Sequence, residues 1–515
     1  MSDRSDHAIQ RVVVVGGGSA GWLTAGLLAA EHGDRLKVVV LESPNVAPIG
    51  VGEGTWPTMR DSLRDIGVTE AALFRECDAS FKQGSRFNRW ATGQPDDRYF
   101  HPFVLPQGYT EANLVAAWLQ QHPAVPFAEL VSFQPHLCLQ GRAPKQFATP
   151  EYAAVANYAY HFDAGKFGVF LRAHCIDKLG VQHVLDDLVG VNSHDNGDIA
   201  SVQTQAHGDV AGDLFVDCTG MQSLLLGRHY GVGFVSHKHV LFCDAALALQ
   251  VSYADEHAPI ASQTISTAQG SGWVWDIGLQ TRRGVGLVYS SAHMGDDEAQ
   301  GALRDHIAGT GGPADLPPAR KLCFEPGHRE TFWHRNCLAI GLSAGFLEPL
   351  EASAIALIEY SAGFLRDQLP ATREAVDIVA RRFNEGHRYR WARIIDFLKL
   401  HYVLSQRRDT EFWRDNQRPE SIPDSLREAL GLWRHTPPSR YDLVRNDEAF
   451  PSASCQYVLY GMGFKPERFS SSGRDADKAA GYFQEAAQLT RKMLPALPGN
   501  RELIEHIKRH GLPRI

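Results

Sequence analysis

The ten residues Val12–Gly21, VVVVGGGSAG, constrain this chain more than any other stretch. Four consecutive valines favour a buried strand. They run straight into Gly16, Gly18 and Gly21 at G-x-G-x-x-G spacing, and AGWLTAGLLAA then reads as a helix. In a strand–turn–helix of this kind the first glycine allows the tight turn and the second lets backbone approach a pyrophosphate. The third lets the helix pack closely on the strand. The phosphates would sit on the positive end of that helix, where Ser19 and Ala20 follow Gly18. About twenty residues on, LKVVVLE ends in Glu42, a carboxylate placed to accept hydrogen bonds from an adenosine ribose. The pattern predicts a bound dinucleotide.

Bulk properties remove several other classes. A net charge of −8 over 515 residues leaves no nucleic-acid footprint. The eight cysteines are scattered with no C-x-x-C pair, which suits reduced thiols in a cytoplasmic protein. The uncharged run from Val12 to Ala30 superficially resembles a signal peptide or a span. Its three central glycines and the nucleotide logic favour a buried strand–turn–helix, so neither a membrane nor a targeting segment is expected. Histidines are numerous, but no H-x-x-x-H or H-E-x-x-H helix pattern emerges, and no metal is expected.

Strand-like runs recur at 12–15, 37–41, 200–204, 214–217, 240–251 and 284–290, with a helical pattern at 166–180. After about residue 350 long helical patterns take over, broken by proline-rich stretches at 416–424 and 437–438. The fold class expected is α/β: a Rossmann-type dinucleotide domain with an interleaved second β-sheet over 1–349, and a mainly helical substrate-pocket region over 350–515. The aromatic and basic run at 388–402 reads as an amphipathic packing helix. Only one nucleotide fingerprint has its strand-and-helix context, which suggests that reducing equivalents arrive from another protein.

Further segments make the chain resemble a known family. They are GVGEGTWPT at 50–58, FKQGSRF at 81–87, HFDAGKFGVFLR at 161–172, VDCTG at 216–220, GWVWDIGL at 272–279, AIGLSAGFLEPLEASAI at 339–355 and WARIIDFLKLHYVLSQRRDTEFW at 391–413. In this order and spacing they resemble the flavin-dependent halogenases of the tryptophan-halogenase type. The resemblance implies FAD, used as FADH2 supplied by a separate flavin reductase. It also implies a halide ion oxidised with oxygen to hypohalous acid, and an electron-rich aromatic substrate such as an indole that receives the halogen.

The same resemblance assigns residues. Lys82 corresponds to the family's catalytic lysine, whose ammonium would polarise hypohalous acid, or whose amine would form a haloamine if burial removed its proton. Glu351 corresponds to the second catalytic residue, preferred over Glu348 because it directly precedes the small-residue triplet. Ser353 and Ala354 fall where backbone N–H groups bind halide, with Ser353 also expected to cap the helix that begins there. Trp273, Trp275 and Ile277 fill the W-x-W-x-I signature of the tunnel, and Gly278 replaces the proline that follows it. Alternation along a strand would put both indoles on one face. Gly50, Val51, Gly52 and Glu53 belong to a segment resembling the flavin strap. Gly341 stands where flavoprotein hydroxylases carry Gly-Asp, but Leu342 follows it here.

The pocket is expected to include 440–463, where nothing corresponds to the residues that clamp free tryptophan's amino-acid portion. Chloride and bromide are both candidates, and a homodimer is a reasonable expectation. Two alternatives stay open at this point: a flavin-dependent aromatic monooxygenase, or a flavin-binding protein without turnover.

Overall fold

Val12, Val13 and Val14 have no exposed surface, because the strand Arg11–Val15 lies between two parallel neighbours in a six-stranded sheet. Val12 stands opposite Leu214 on one side and Val38 on the other. Near-continuous valine is what a parallel strand covered on both faces requires. The computed structural model describes residues 8–46, 52–443, 445, 447–467 and 473–513.

The chain divides into two units, each drawn from three separate stretches. Met1–Asp78, Phe162–His237 and Glu325–Trp391 form the first; Ala79–His161, Lys238–Phe324 and Ala392–Ile515 form the second. The expected boundary at 349/350 is not where this division falls. A composition shift marks where helices begin along the chain, whereas contacts decide which sheet each helix covers. The helix Ser353–Asp367 accordingly joins the nucleotide-type sheet, and the helices after residue 392 join the other unit.

In the first unit the sheet order is Trp333–His334, Cys337–Ala339, Leu214–Asp217, Arg11–Val15, Lys37–Glu42 and Gln182–Leu185. The helix Ser19–His32 is buried from Gly21 to Ala29, since it packs against both Ala164–Leu179 and Ser353–Asp367. A helix enclosed on that many sides carries apolar residues all round rather than on one stripe.

The second unit is built on a seven-stranded sheet that starts at Arg320–Cys323 and ends at Arg98–Pro102. Its central strands Ala245–Ser252, Arg282–Tyr289 and Gly272–Gly278 are antiparallel. The helix Asp296–Gly309 closes one face, setting Leu303 and Ile307 among Leu247, Val285 and Leu287. Short strand Ser80–Lys82 pairs antiparallel with residues 159–161.

Close helix-to-strand packing in the first unit depends on Gly21. A Cβ there would lie 1.8 Å from the Gly16 carbonyl oxygen, a backbone atom that cannot step aside. Gly21→Ala should therefore lower stability by about 2 kcal/mol or more, read as a drop in Tm in a thermal melt. An unchanged Tm would mean that this contact does not limit the fold.

Candidate active site

The glycine turn makes a cradle with room where a pyrophosphate would lie. Gly18 caps the helix Ser19–His32 without a side-chain cap bond, and no acidic residue occupies the first turn. A Cβ on Gly18 would meet nothing within 4 Å. The helix end is thus open, positive and free of a competing carboxylate in its first turn. Glu42, at the end of its strand, lies against the turn: a Cβ on Gly17 would fall 2.2 Å from the Glu42 Cγ. Its carboxylate also meets His183 Nε2 at 2.9 Å and Arg172 Nη1 at 3.5 Å, two partners the sequence pattern does not reveal. Gly341, at φ 76°, opens a short turn whose Cβ position is 3.0 Å from Ala20 Cβ. Ser19, Ala20, Gly341 and Glu42 therefore gather around one cradle that fits a dinucleotide.

The VDCTG segment is held rigidly beside it. Buried Asp217 accepts hydrogen bonds from the backbone N–H groups of Thr219, Leu225 and Leu226 at 2.8–3.0 Å. Of the expected strap, Gly50 and Val51 lie outside the described residues. Gly52–Gly54 is a strand, and desolvation raises the Glu53 carboxyl to about 7.

Glu351 and Glu348 are both buried, Glu351 with 4% exposure. Trp56 Nε1 donates to the Glu351 carbonyl at 2.8 Å, pinning the chain just before the small-residue triplet. Ala352 then adopts a left-handed conformation, φ 56°, and turns the chain into the helix Ser353–Asp367. The structure differs from expectation at the next residue. Ser353 does not cap the helix: Ala352 occupies the cap position, makes no side-chain bond, and Ser353 is the first helical residue. A side chain inside the first turn points away from the N–H groups it would have to reach, so the Ser353 and Ala354 N–H groups face an uncapped helix end.

Two turns further along, Glu359 is buried and accepts from Ser62 Oγ at 2.7 Å and Thr58 Oγ1 at 3.3 Å. Burial pushes its carboxyl up to about 8, with the charge of Asp61 adding to the rise. Its burial is not evident from the sequence, because a glutamate in an amphipathic helix normally marks the solvent side.

In the second unit Lys82 has 1% exposure, although lysine is among the residues least often buried. Its Nζ lies 5.4 Å from the Phe103 ring centroid, within cation–π reach. Strand register places Ser80 opposite His161 and Lys82 opposite Ala159. Residues two apart share a face, so Lys82 and His161 are diagonal neighbours. His161 Nε2 is 2.8 Å from Thr264 Oγ1. Burial, with the neighbouring Lys82 charge, pushes its pKa well below the ordinary histidine value. A neutral imidazole beside a lysine amine is the local result.

Trp273 and Trp275 share one face as expected, their rings 6.4 Å apart. Both are buried: Trp273 packs 6.4 Å from Trp90, and the Trp275 indole covers Gly286, where a Cβ would lie 2.2 Å from its ring. Ile277 is buried in the same strand. Gly278 accepts a hydrogen bond from Ser80 Oγ, linking the signature strand to the lysine strand. Lys82 and the tryptophans belong to the second unit, while Glu351, Ser353 and Ala354 belong to the first.

The glycine cradle, the buried Lys82 and the buried Glu351 before the helix Ser353–Asp367 follow one another along the chain in that order. The sequence pattern of the tryptophan halogenases spans residues 11–478, and the chain belongs to that family. It is a flavin-dependent halogenase. Tryptophan 6-halogenase SttH of Streptomyces toxytricini is 33% identical, over 96% of this chain and 97% of its own length. A tryptophan halogenase structure from Shewanella frigidimarina is 47% identical, with TM-score 0.95 and 99% of both chains covered. BrvH, a flavin-dependent halogenase from Brevundimonas, is 33% identical at TM-score 0.84, covering 96% of this chain and 99% of its own. No helix among the described residues is long and apolar enough to cross a membrane.

The raised Glu359 carboxyl gives a pH prediction. Its folded-state value, about 8, exceeds the unfolded 4.5. The neutral acid's contribution to stability is therefore complete below the unfolded value and is lost as pH climbs through the folded one. Melts across this window should show wild-type Tm falling with pH more steeply than in Glu359→Gln, with the variant the more stable by about 1–3 kcal/mol above pH 8. Parallel curves would assign the pH dependence to other groups.

Proposed function

We propose that the flavin is FAD, delivered as FADH2 by a separate reductase, and that the enzyme halogenates an indole or a comparably electron-rich aromatic. When bound, the reduced flavin would give two electrons to oxygen, and the oxygen so reduced to the peroxide level is the oxidant that takes two electrons from halide, leaving hypohalous acid and water. The Gly16–Gly21 turn, with Ser19 and Ala20, holds the pyrophosphate on the helix end, and Glu42 takes the ribose. Gly52, Glu53 and Gly341 would hold the rest of the cofactor.

Backbone N–H groups of Ser353 and Ala354 hold the halide. They are suited to it because the helix end is uncapped and any non-proline residue donates an N–H there. An Ala-Ser-Ala triplet loses nothing in this respect. Lys82 hydrogen-bonds hypohalous acid through its side-chain nitrogen and polarises it toward the aromatic ring, and His161, held neutral, does not compete for it. Glu351 accepts the proton that the ring loses as the carbon–halogen bond forms. Trp273, Trp275 and Ile277 keep organic substrate away from the flavin.

The observation that carries this reading is the burial of Lys82 beside Phe103. A lysine whose only task was solubility would not be desolvated, since removing an ammonium from water is costly. The substrate class follows from chemistry: an electrophilic halogen needs an electron-rich ring, and the similar SttH is a tryptophan 6-halogenase.

The test supplies FAD, a reductase, NADH, oxygen, bromide or chloride, and a panel of indoles, with mass spectrometry seeking the bromine isotope doublet. Lys82→Ala should lower halogenated product at least about a hundredfold while flavin affinity stays unchanged. Product formed at the wild-type rate by this variant would overturn the assignment.

A further inference from the structure

We propose that Asn500, the first residue of the C-terminal helix Asn500–His510, is a positioning residue that holds Lys82 in its working orientation. This rests on the reading of Lys82 given above. The helix lies outside residues 11–478, the stretch that carries the family's sequence pattern.

Asn500 has 1% exposure and reaches the lysine strand directly. Its Nδ2 donates to the Phe81 carbonyl at 3.3 Å, and to the Ile260 and Ala261 carbonyls at 3.4 Å each. One amide group has only two hydrogens, so sharing them among three acceptors lengthens every bond. On the other side of Lys82, the Gln83 N–H donates to the Ser262 carbonyl at 2.7 Å. Lys82 is therefore flanked by two backbone groups tied to the same loop, 260–262, one directly and one through Asn500. Rotating its backbone would strand buried carbonyls without donors.

The clasp is anchored beyond this loop. The Asn500 N–H donates to the Gly141 carbonyl at 2.8 Å, and Arg501 Nη1 donates to the Gln280 carbonyl at 3.0 Å. Gln280 Nε2 in turn donates to the Ala79 carbonyl at 2.7 Å, at the entrance of the lysine strand. Gln83 Nε2 donates to the Arg142 carbonyl, also at 2.7 Å. A three-residue strand has few ladder bonds of its own, and an amine that must meet a small oxidant needs placement to within fractions of an ångström. The C-terminal helix supplies that placement.

The test compares full-length wild type, Asn500→Ala, the milder Asn500→Ser and Lys82→Ala under turnover with bromide, reductase and an indole. A β-diketone scavenger captures hypohalous acid that escapes. Both Asn500 variants should lower kcat for halogenated indole about tenfold or more, with KM for the indole changed less than about twofold. Scavenged oxidant should rise so that its sum with product holds. A product-to-scavenged ratio equal to wild type in the Asn500 variants, whether or not the total falls with loss of folded protein, would overturn the proposal. If Asn500→Ala does not fold, Asn500→Ser decides by the same ratio. Product surviving in Lys82→Ala would overturn the underlying reading of Lys82 instead.

Discussion

In the proposed reaction the chemistry turns on the desolvation of one amine, that of Lys82. An ammonium removed from water must be met by a surround built around it; Lys82, with 1% exposure, has a neutral imidazole as its diagonal neighbour on the sheet face and the Phe103 ring within cation–π reach. Phe81, on the opposite face of the strand, fills a different role. Its ring packs edge-on to Tyr158 at 5.2 Å, and the buried Lys145 Nζ bonds the Tyr158 hydroxyl at 3.2 Å. The strand thus carries aromatic packing on one face and the Lys82 amine on the other.

The first unit obeys a separate constraint, the approach of one helix to one strand. With Gly21 against the Gly16 carbonyl, the helix Ser19–His32 sits low enough for its N-terminal end to stay open at Gly18. The same logic recurs at Ala352, where a left-handed residue delivers the chain into a second uncapped helix. Two helix ends therefore stand ready for anions in this unit, one with the room of a dinucleotide cradle and one behind a buried glutamate.

Much of this was legible in the residues and some was not. The valine run, the glycine spacing and the acidic strand end are local signals, and the structure keeps all of them in register. Paired tryptophans two apart also declare their shared face, because strand alternation is a local rule. Interleaving of a second sheet was legible, but the assignment of each stretch to a unit was not, since each unit is stitched from three stretches by contacts far apart in sequence. The cap at Ala352 was misjudged for Ser353 because propensity favours serine, whereas the preceding turn, pinned by the Trp56–Glu351 bond, sets where the helix starts. Glu359 and Asn500 gave no signal at all: one looks like a solvent-facing charge and the other like a helix start. Only tertiary contacts show that the first is buried and the second reaches the Phe81 carbonyl.

In the proposed reaction the oxidised halogen must reach the amine of Lys82. The most direct measurement is peptide mass spectrometry of the flavin-loaded enzyme turned over with bromide, oxygen and reductase in the absence of an aromatic acceptor. Halogenation of the side-chain amine, or the aldehyde left after loss of hydrogen bromide and hydrolysis, should concentrate on the peptide carrying Lys82. Lys145 and Lys399, equally buried, should stay unmodified. Modification spread over surface lysines with Lys82 untouched would contradict the account.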